Sequence, residues 1–275
     1  MNWKITCLFY ISVLLVYSNI AYTQDTMALP NYLPHAHAHN DYAKERPTLT
    51  AALAIGVGSI EIDVFGTRRG LLVAHTAIEL PWAKTLEIRY FEPLEAILQK
   101  QNGQWFDNPT QRLIFMIDIK GNSTIAYTQL RALCQKYAPL ITTYYAQQDS
   151  IAYGKIDIVL SGHKPIELLQ SDSIQYMTID GSQAAIGKNN RFYPRVSMPY
   201  SSVLQWRGRG ELPADQRLRL EQIIAQAHQN NQKVRLWAMP NNEKVWRTLL
   251  DMELDWLNID KLRKYSLFYK KKFKD

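Results

Sequence analysis

The chain has 275 residues, of which 47% are hydrophobic and 21% are charged, as in an ordinary globular protein with a sizeable core. No repeat or low-complexity stretch interrupts it, which excludes a repeat architecture. The formal charge of +7 comes partly from the run Lys270-Lys271-Lys272-Phe273-Lys274, which we interpret as a solvated end. Attraction to anionic lipid or phosphate, and with it membrane-surface association, is the alternative. No motif supports nucleic-acid binding.

The first 23 residues are predicted to be a signal peptide. Lys4 precedes an apolar run from Ile5 to Val16, and small and polar residues follow it. An uncleaved membrane anchor is the alternative, but the run is shorter than the roughly 20 residues that span a bilayer. We therefore expect export to the periplasm, the cell surface or the medium, and one domain over residues 24–275. Cleavage would leave Cys134 as the only cysteine, buried in a helix.

Short β-rich runs alternate with helical patterns along the rest of the chain, which predicts βα units around a parallel sheet. The helical patterns are Thr48–Ile55, Phe91–Lys100, Ile125–Tyr137, Pro165–Leu169, Ala214–Asn230 and Glu243–Met252. In the fifth, Leu218, Ile223 and Ile224 are expected to form the apolar face. The predicted strands are Leu33–His39, Ser59–Val64, Leu113–Ile119, Ile156–Ser161, Gln175–Ile179, Arg195–Met198, Val234–Ala238 and Trp256–Ile259.

Eight strands in this order predict a TIM (β/α)8 barrel. A further strand, Leu71–His75, follows a glycine-containing turn and is predicted to form a hairpin with the second barrel strand. Active sites in such barrels lie at the carboxyl ends of the strands, so polar residues at the strand ends are the candidates for function.

Two predicted strands each carry, at or just beyond their carboxyl end, a pair of charged residues two positions apart. Glu61 and Asp63 point to one face of an otherwise apolar strand, where a hard cation would relieve their mutual repulsion. Asp118 and Lys120 share a face at the end of another apolar strand. We interpret Asp118 as a third metal ligand and Lys120 as a contact to phosphate. Solvated carboxylates on the first strand and a buried ion pair on the second are the alternatives.

Histidines end the first predicted strand and the hairpin strand. The first lies in the run Pro34-His35-Ala36-His37-Ala38-His39, and the second is His75. Hydrolysis of a phosphodiester needs a base for the attacking oxygen and an acid for the leaving one. Imidazole titrates near neutrality and can serve as either. A single histidine is more often structural, but two that flank the carboxylate strand predict an acid–base pair.

The order His39, Glu61, Asp63, His75 resembles the glycerophosphodiester phosphodiesterase and phosphatidylinositol-phospholipase-C-like superfamily. Asp118-Ile119-Lys120 is similar to the later acidic-x-Lys strand of that superfamily. The sequence looks most like relatives of the fungal altered inheritance of mitochondria protein six. That likeness rests on His37-Ala38-His39-Asn40-Asp41-Tyr42, Arg46-Pro47, Leu72-Val73-Ala74-His75, Arg235-Leu236-Trp237 and Asn258-Ile259-Asp260.

The resemblance implies a TIM-barrel phosphodiesterase that acts on a small-molecule or lipid phosphodiester. It implies the following residues: His39 and His75 for catalysis, Glu61, Asp63 and Asp118 for one Mg²⁺ or Ca²⁺ ion, Lys120 for the phosphate, and Trp237 for a substrate wall. Core packing is the alternative for Trp237. The sequence departs from the superfamily at Asn40, where relatives with a His-Arg pair have arginine, although Asn40 can still donate hydrogen bonds to substrate. Whether His37 or His39 is the first catalytic histidine stays open here.

Two other functions are compatible with parts of this pattern. Paired histidines on a first barrel strand resemble amidohydrolase and histidinol-phosphatase-like enzymes, which hold transition metals in imidazole-rich sites. Those families need further histidines on later strands, and here the later ones are His163 and His228. A non-catalytic protein that binds a phospho-headgroup is the second alternative. It would not need an acid–base pair.

Overall fold

The eight predicted barrel strands close into one ring in the computed structural model, which describes residues 29–39 and 49–273. The strands in these ranges are β1 (Ala36–Ala38), β2 (Ser59–Thr67), β3 (Gly70–Val73), β4 (Leu113–Lys120), β5 (Thr143–Tyr145), β6 (Ser150–Ala152), β7 (Ile156–Gly162), β8 (Ile174–Gln175), β9 (Met177–Gly181), β10 (Arg195–Pro199), β11 (Lys233–Trp237) and β12 (Trp256–Ile259). The ring order is β1, β2, β4, β7, β9, β10, β11, β12, and all neighbours are parallel. The predicted TIM barrel is confirmed.

Strand β3 is the extra hairpin strand that the sequence predicts. It pairs with β2 in antiparallel register, with Val73 opposite Val64, and it lies outside the ring. The strand ends at Val73, two residues earlier than predicted. The backbone N–H of Ala74 donates to the carbonyl of Asp63 at 3.2 Å. This hydrogen bond returns the chain to the carboxyl end of β2, so His75 starts its loop beside the carboxylate strand.

The sequence patterns did not predict a small antiparallel sheet made of β6, β5 and β8. Its strands have only two or three residues each, which is too short for a period of two to show. Gln175, predicted for the fifth barrel strand, belongs instead to β8, where it pairs with Tyr144. The barrel strand β9 begins two residues later, at Met177.

Helices surround the ring and cover its apolar outer face. They are α1 (Thr50–Ile55), α2 (Glu92–Lys100), α3 (Ser123–Lys136), α4 (Ile166–Ser171), α5 (Ala214–Gln229), α6 (Glu243–Asp251) and α7 (Leu262–Phe273). The first six match the predicted helical patterns. Leu218 was wrongly placed on the buried face of α5, since it is 55% exposed and Leu220 is buried in its place. Cys134 is fully buried in α3, as expected, and burial raises the pKa of its thiol to about 12.

The last helix, α7, was not predicted, because its lysines were interpreted as a solvated end. Lys270 and Lys271 are exposed, but they lie in the last turn of a helix that packs on the barrel. Phe268 of α7 is 4% exposed and its ring centroid lies 5.6 Å from that of Trp246 in α6. Lys272 forms an ion pair with Asp251. Helix α7 is therefore packed against the rest of the fold through one face, while Lys270 and Lys271 face solvent.

Two of the predictions lie outside the described residues. These are the signal peptide over residues 1–23 and the role of Asn40. Across residues 29–39 and 49–273, no helix combines the length and the apolar character needed to cross a bilayer.

We expect Phe268→Ala to lower the free energy of unfolding by about 3–5 kcal/mol, the usual cost of truncating a buried phenylalanine. Chemical denaturation followed by circular dichroism measures this loss. Phe273→Ala is the matched control, because the side chain of Phe273 is 53% exposed. The free energy of unfolding of the Phe273→Ala variant should fall by less than about 1 kcal/mol. Equal losses in the two variants would contradict the packing of α7 described above.

Candidate active site

The barrel interior of this protein is unusually polar, whereas branched aliphatic side chains fill most TIM barrels. Buried polar or charged side chains come from six of the eight ring strands: His37, Ser59, Glu61, Asp63, Asp180, Arg195, Ser197, Arg235 and Asn258. Buried charges are costly unless they are paired. The arrangement of their pairs therefore decides which groups keep their charge.

Arg235 is the centre of this interior network. One of its terminal nitrogens donates to Oε2 of Glu61 and, at 2.6 Å, to Oδ1 of Asn258. The other terminal nitrogen lies 3.7 Å from Oδ2 of Asp180. Burial alone would raise the pKa of Glu61, but the Arg235 guanidinium and the hydrogen bond from His37 outweigh it and hold that pKa below its usual range. Glu61 is therefore ionised although it is 6% exposed.

His37 lies below the cavity and supports Glu61. Its Nε2 is 3.0 Å from Oε2 of Glu61, and its Nδ1 is 2.8 Å from Oγ of Ser59. Burial, reinforced by Arg235, lowers the pKa of His37 to about 3, so the imidazole is neutral. A carboxylate only accepts hydrogen bonds, so Nε2 carries the proton and Nδ1 accepts from Ser59. Neither ring nitrogen is available to a substrate in this arrangement.

A cavity of about 530 Å³ opens above this network at the carboxyl ends of the strands. All the described residues that the sequence predicted for the site line it: His39, Glu61, Asp63, His75, Asp118, Lys120 and Trp237. Trp237 is 40% exposed, so it forms part of the cavity wall and is not packed in the core. The structure thus brings together the predicted residues of four strand ends and the hairpin.

Three carboxylates converge on the floor of the cavity. Glu61, Asp63 and Asp118 each offer an oxygen within 4.8 Å of the others. The strand register causes this convergence, because Asp63 and Asp118 are direct partners across β2 and β4. Burial and the two neighbouring carboxylates raise the pKa of Asp118, while Lys120 opposes that shift. The Lys120 ammonium lies 2.9 Å from Oδ2 of Asp118 and 3.6 Å from Oδ1 of Asp63.

Each of the two predicted catalytic histidines is held by a carboxylate through Nδ1. In His75, Nδ1 lies 2.5 Å from Oδ2 of Asp63, and in His39 it lies 3.1 Å from Oδ1 of Asp260. Their side chains are 55% and 36% exposed, respectively. Asp260 is oriented in turn by Asn241, whose side-chain amide donates to Oδ2 of Asp260 at 3.0 Å. A carboxylate on Nδ1 fixes the proton there and leaves Nε2 to exchange protons.

The cavity also contains polar residues that the sequence patterns did not assign to it: Ser161, Lys164, Asp180, Ser182, Ser197 and Arg235. For some of these residues the sequence did contain a pattern that could have placed them in the cavity. Arg235 precedes Trp237 by two positions on the same strand, so alternation would have placed it on the same face. Asp180 directly follows the predicted end of its strand. Lys164 lies in the loop after β7, where no periodicity applies.

The remaining histidines do not join the cavity. His163 is exposed and its Nδ1 lies 3.1 Å from the carbonyl of Gly121. His228 contacts Asp255 at 2.7 Å, and His35 contacts the carbonyl of Asp255. Within the described ranges, the group of potential ligands found close together contains carboxylates alone. An imidazole-rich transition-metal site is therefore not favoured by the geometry.

Comparison with known proteins gives a consistent result. The model for the AIM6-like phosphodiesterase domain matches residues 27–179. Altered inheritance of mitochondria protein 6 from Eremothecium gossypii is 28% identical, and the match covers 86% of this chain and 69% of that protein. Its homolog from Arthroderma benhamiae is 27% identical, with 82% of this chain and 80% of that protein covered.

Two solved structures share the fold. A glycerophosphodiester phosphodiesterase from Agrobacterium tumefaciens superposes with a TM-score of 0.51 at 10% identity, over 86% of this chain and 99% of that one. A glycerophosphodiester phosphodiesterase from Parabacteroides distasonis superposes with a TM-score of 0.50 at 13% identity, over 87% of this chain and 98% of that one. The resemblance inferred from the sequence motifs is confirmed. Because the family match spans more than half of the sequence, the chain belongs to the AIM6-like phosphodiesterase family.

Proposed function

We propose that this protein hydrolyses a phosphodiester bond by acid–base catalysis with His39 and His75, assisted by one Mg²⁺ or Ca²⁺ ion. One observation carries the proposal: two imidazoles, each with Nδ1 on a carboxylate, line the cavity that has three carboxylates on its floor. A protein that only bound a phospho-headgroup would not need two histidines oriented for proton transfer.

Glu61, Asp63 and Asp118 would hold the cation, and the residues present fit one. Hard cations take oxygen ligands at roughly 2.0–2.6 Å, so two ligand oxygens on one ion lie at most about 5 Å apart. The three carboxylates meet that limit. Moreover, Oδ1 of Asp118 is buried and has no hydrogen-bond partner among the described residues. A bound cation would satisfy this oxygen and polarise a nonbridging oxygen of the phosphate.

The two histidines would divide the proton transfers. With Nδ1 donating to its carboxylate, the Nε2 of one histidine can accept the proton of the attacking hydroxyl. The other histidine, protonated on Nε2, can donate to the leaving oxygen. The attacking hydroxyl would belong to the substrate, giving a cyclic phosphate, or to water. The Lys120 side chain is 28% exposed at the cavity floor, and its ammonium would contact the phosphate as a point charge.

The substrate would be a glycerophosphodiester or a phospholipid with the same headgroup linkage. Trp237 would form the wall beside its organic part. Export by the predicted signal peptide would bring the enzyme to such substrates in an envelope or extracellular space. Asn40, next to His39 in the chain, would donate a hydrogen bond to the substrate in place of the arginine of those superfamily members that have a His-Arg pair.

A membrane-surface substrate is supported by an apolar projection beside His75. Ile78 and Trp82 belong to the short helical segment Ala77–Trp82 and are each 80% exposed. The guanidinium of Arg69 donates to the carbonyls of Leu80, Pro81 and Ala83, which fixes the end of this segment to the turn between β2 and β3. Exposed tryptophan and isoleucine on a fixed segment are suited to insertion among lipid headgroups.

His39→Ala and His75→Ala should each lower kcat at least about 10²-fold, because each removes an acid or a base. Turnover of glycerophosphodiesters, phospholipids and bis(4-nitrophenyl) phosphate, with Mg²⁺ or Ca²⁺ and with chelator, measures this. His163→Ala is the control, since His163 is exposed and outside the cavity. Near-normal turnover of either cavity variant would refute the assignment. Headgroup binding by the native protein without any turnover would support the non-catalytic alternative.

Gly162→Ala should weaken Mg²⁺ or Ca²⁺ binding by about 10- to 100-fold, the range for groups that orient metal ligands. A Cβ at Gly162 would lie 2.0 Å from Oδ1 of Asp118, so the carboxylate would have to move. Isothermal titration calorimetry measures the affinity. Gly103→Ala is the matched control, since Gly103 has a similar φ of +76° but no atom within 4 Å of its Cβ position. Equal metal affinity in both variants would contradict Asp118 as a ligand.

Trp82→Ala should reduce hydrolysis of a phospholipid in anionic vesicles roughly tenfold. This is the effect expected when one aromatic side chain no longer inserts into the lipid surface. Hydrolysis of soluble glycerophosphodiesters should stay within about twofold. Leu267→Ala is the control, because Leu267 is also exposed, at 71%, but lies on α7. An equal effect on soluble and vesicle substrates would contradict membrane docking through this segment.

A further inference from the structure

A second cavity, of about 490 Å³, lies at the opposite end of the barrel. Residues at the amino-terminal ends of the ring strands line it, among them Ile114 of β4, Asp157 of β7 and Trp256 of β12. The small sheet contributes Tyr144 and Ile151 to one side. In TIM barrels this end normally serves stability and not ligand binding. A cavity of the same size as the proposed active site therefore needs its own explanation.

The exposed walls of this second cavity are mostly apolar, and four aromatic side chains contribute to them. Tyr144, Tyr153, Tyr176 and Trp256 line it together with the aliphatic side chains of the ring strands. Tyr153 is 68% exposed and stands at the rim. Concave sites lined by aromatic side chains with a few polar groups are typical of small-molecule sites. The aromatic part of this lining suits a flat, apolar ligand body.

Arg195 supplies the polar anchor. Its side chain lines the cavity, is 3% exposed and lies over the Trp256 ring at 4.7 Å. Its NH1 atom has no hydrogen-bond partner in the part of the chain that the structure describes. Burial lowers the pKa of Arg195 to about 10, with Asp180 opposing that shift, so the guanidinium is charged at neutral pH. A buried cation with an unused donor is costly until an acceptor reaches it.

The other cations at this cavity already have partners. Arg112 donates through Nε to both carboxylate oxygens of Asp157, at 3.0 and 2.9 Å. Arg191 donates to Gln175 at 2.8 Å, and its guanidinium stacks 3.9 Å from the Tyr144 ring centre. Lys233 pairs with Asp255 at 2.9 Å. These pairs lie around the opening of the cavity. Arg195 lies deeper, and one of its terminal N–H groups has no acceptor among the described residues.

We propose that this second cavity binds a small organic anion, with one carboxylate on the Arg195 guanidinium and a flat apolar body among Tyr144, Tyr153 and Trp256. The planar guanidinium matches a carboxylate in geometry. A monoanion is favoured over a phosphate dianion, because Asp149 and Asp157 also line the cavity and would repel a second charge. This site is separate from the proposed active site and does not depend on its function.

Binding of naphthalene-2-carboxylate to the full chain, measured by isothermal titration calorimetry, tests the proposal. We expect one site per chain, and about 10- to 100-fold weaker binding of the neutral naphthalene-2-carboxamide, the usual value of a charge-assisted hydrogen bond. Arg195→Gln should weaken the carboxylate by a similar factor. Arg217→Gln removes one positive charge from the exposed face of α5 and should leave binding unchanged.

Arg195 is buried, so circular dichroism and thermal unfolding must show that Arg195→Gln is folded. If it is not, Tyr153→Ala decides the question. It changes an exposed rim residue and should weaken the carboxylate several-fold through lost stacking. Asp118→Asn, at the other end of the barrel, should leave binding of the carboxylate unchanged. Binding that responds to Asp118→Asn but not to Tyr153→Ala, equal binding of acid and amide, or no binding at all would overturn the proposal.

Discussion

Three carboxylates that repel one another inside a barrel are the constraint on which the rest of this structure depends. Glu61, Asp63 and Asp118 each have an oxygen within 4.8 Å of the others at low exposure, which is costly unless a nearby positive charge compensates it or a carboxyl is protonated. The compensation comes from below through Arg235 and from above through Lys120. Glu61 is thereby kept ionised, whereas the pKa of Asp118 is still raised by burial and by its neighbours. The negative charge that Arg235 and Lys120 leave uncompensated lies on the side that faces the cavity.

The compensating residues also link the site to barrel closure. Arg235 joins β11 to Glu61 on β2, Asn258 on β12 and Asp180 on β9, so its hydrogen bonds cross the ring. His75 reaches the site by a different route, since the β2–β3 hairpin returns the chain to Asp63. The geometry of the cavity is thus set by long-range pairs within the ring together with one local turn. Loops alone would hold such a set of charges less rigidly.

The sequence was sufficient for the ring and for placing these residues on its floor, because paired charges two positions apart at the end of an apolar strand share one face. It was insufficient where structure is short or depends on distant partners. The strands of the small sheet are too brief to show a period, and the lysines of α7 concealed the buried Tyr265 and Phe268. The role of Arg235 depends on partners 174 and 23 residues away, a relation that no local pattern carries.

His37 and His39 show how depth in the barrel determines the chemistry of a side chain. They are two residues apart, so they share a face and differ by roughly 6.6 Å along the strand. That step takes an imidazole from full burial, with both nitrogens engaged, to a cavity wall where it is 36% exposed and held through one nitrogen. The same step separates Arg235 from Trp237 on β11, a buried guanidinium from an exposed ring. Since the inward faces of β1 and β11 pass from the buried interior to the open cavity within one such step, position along these strands separates supporting residues from those that can meet a substrate.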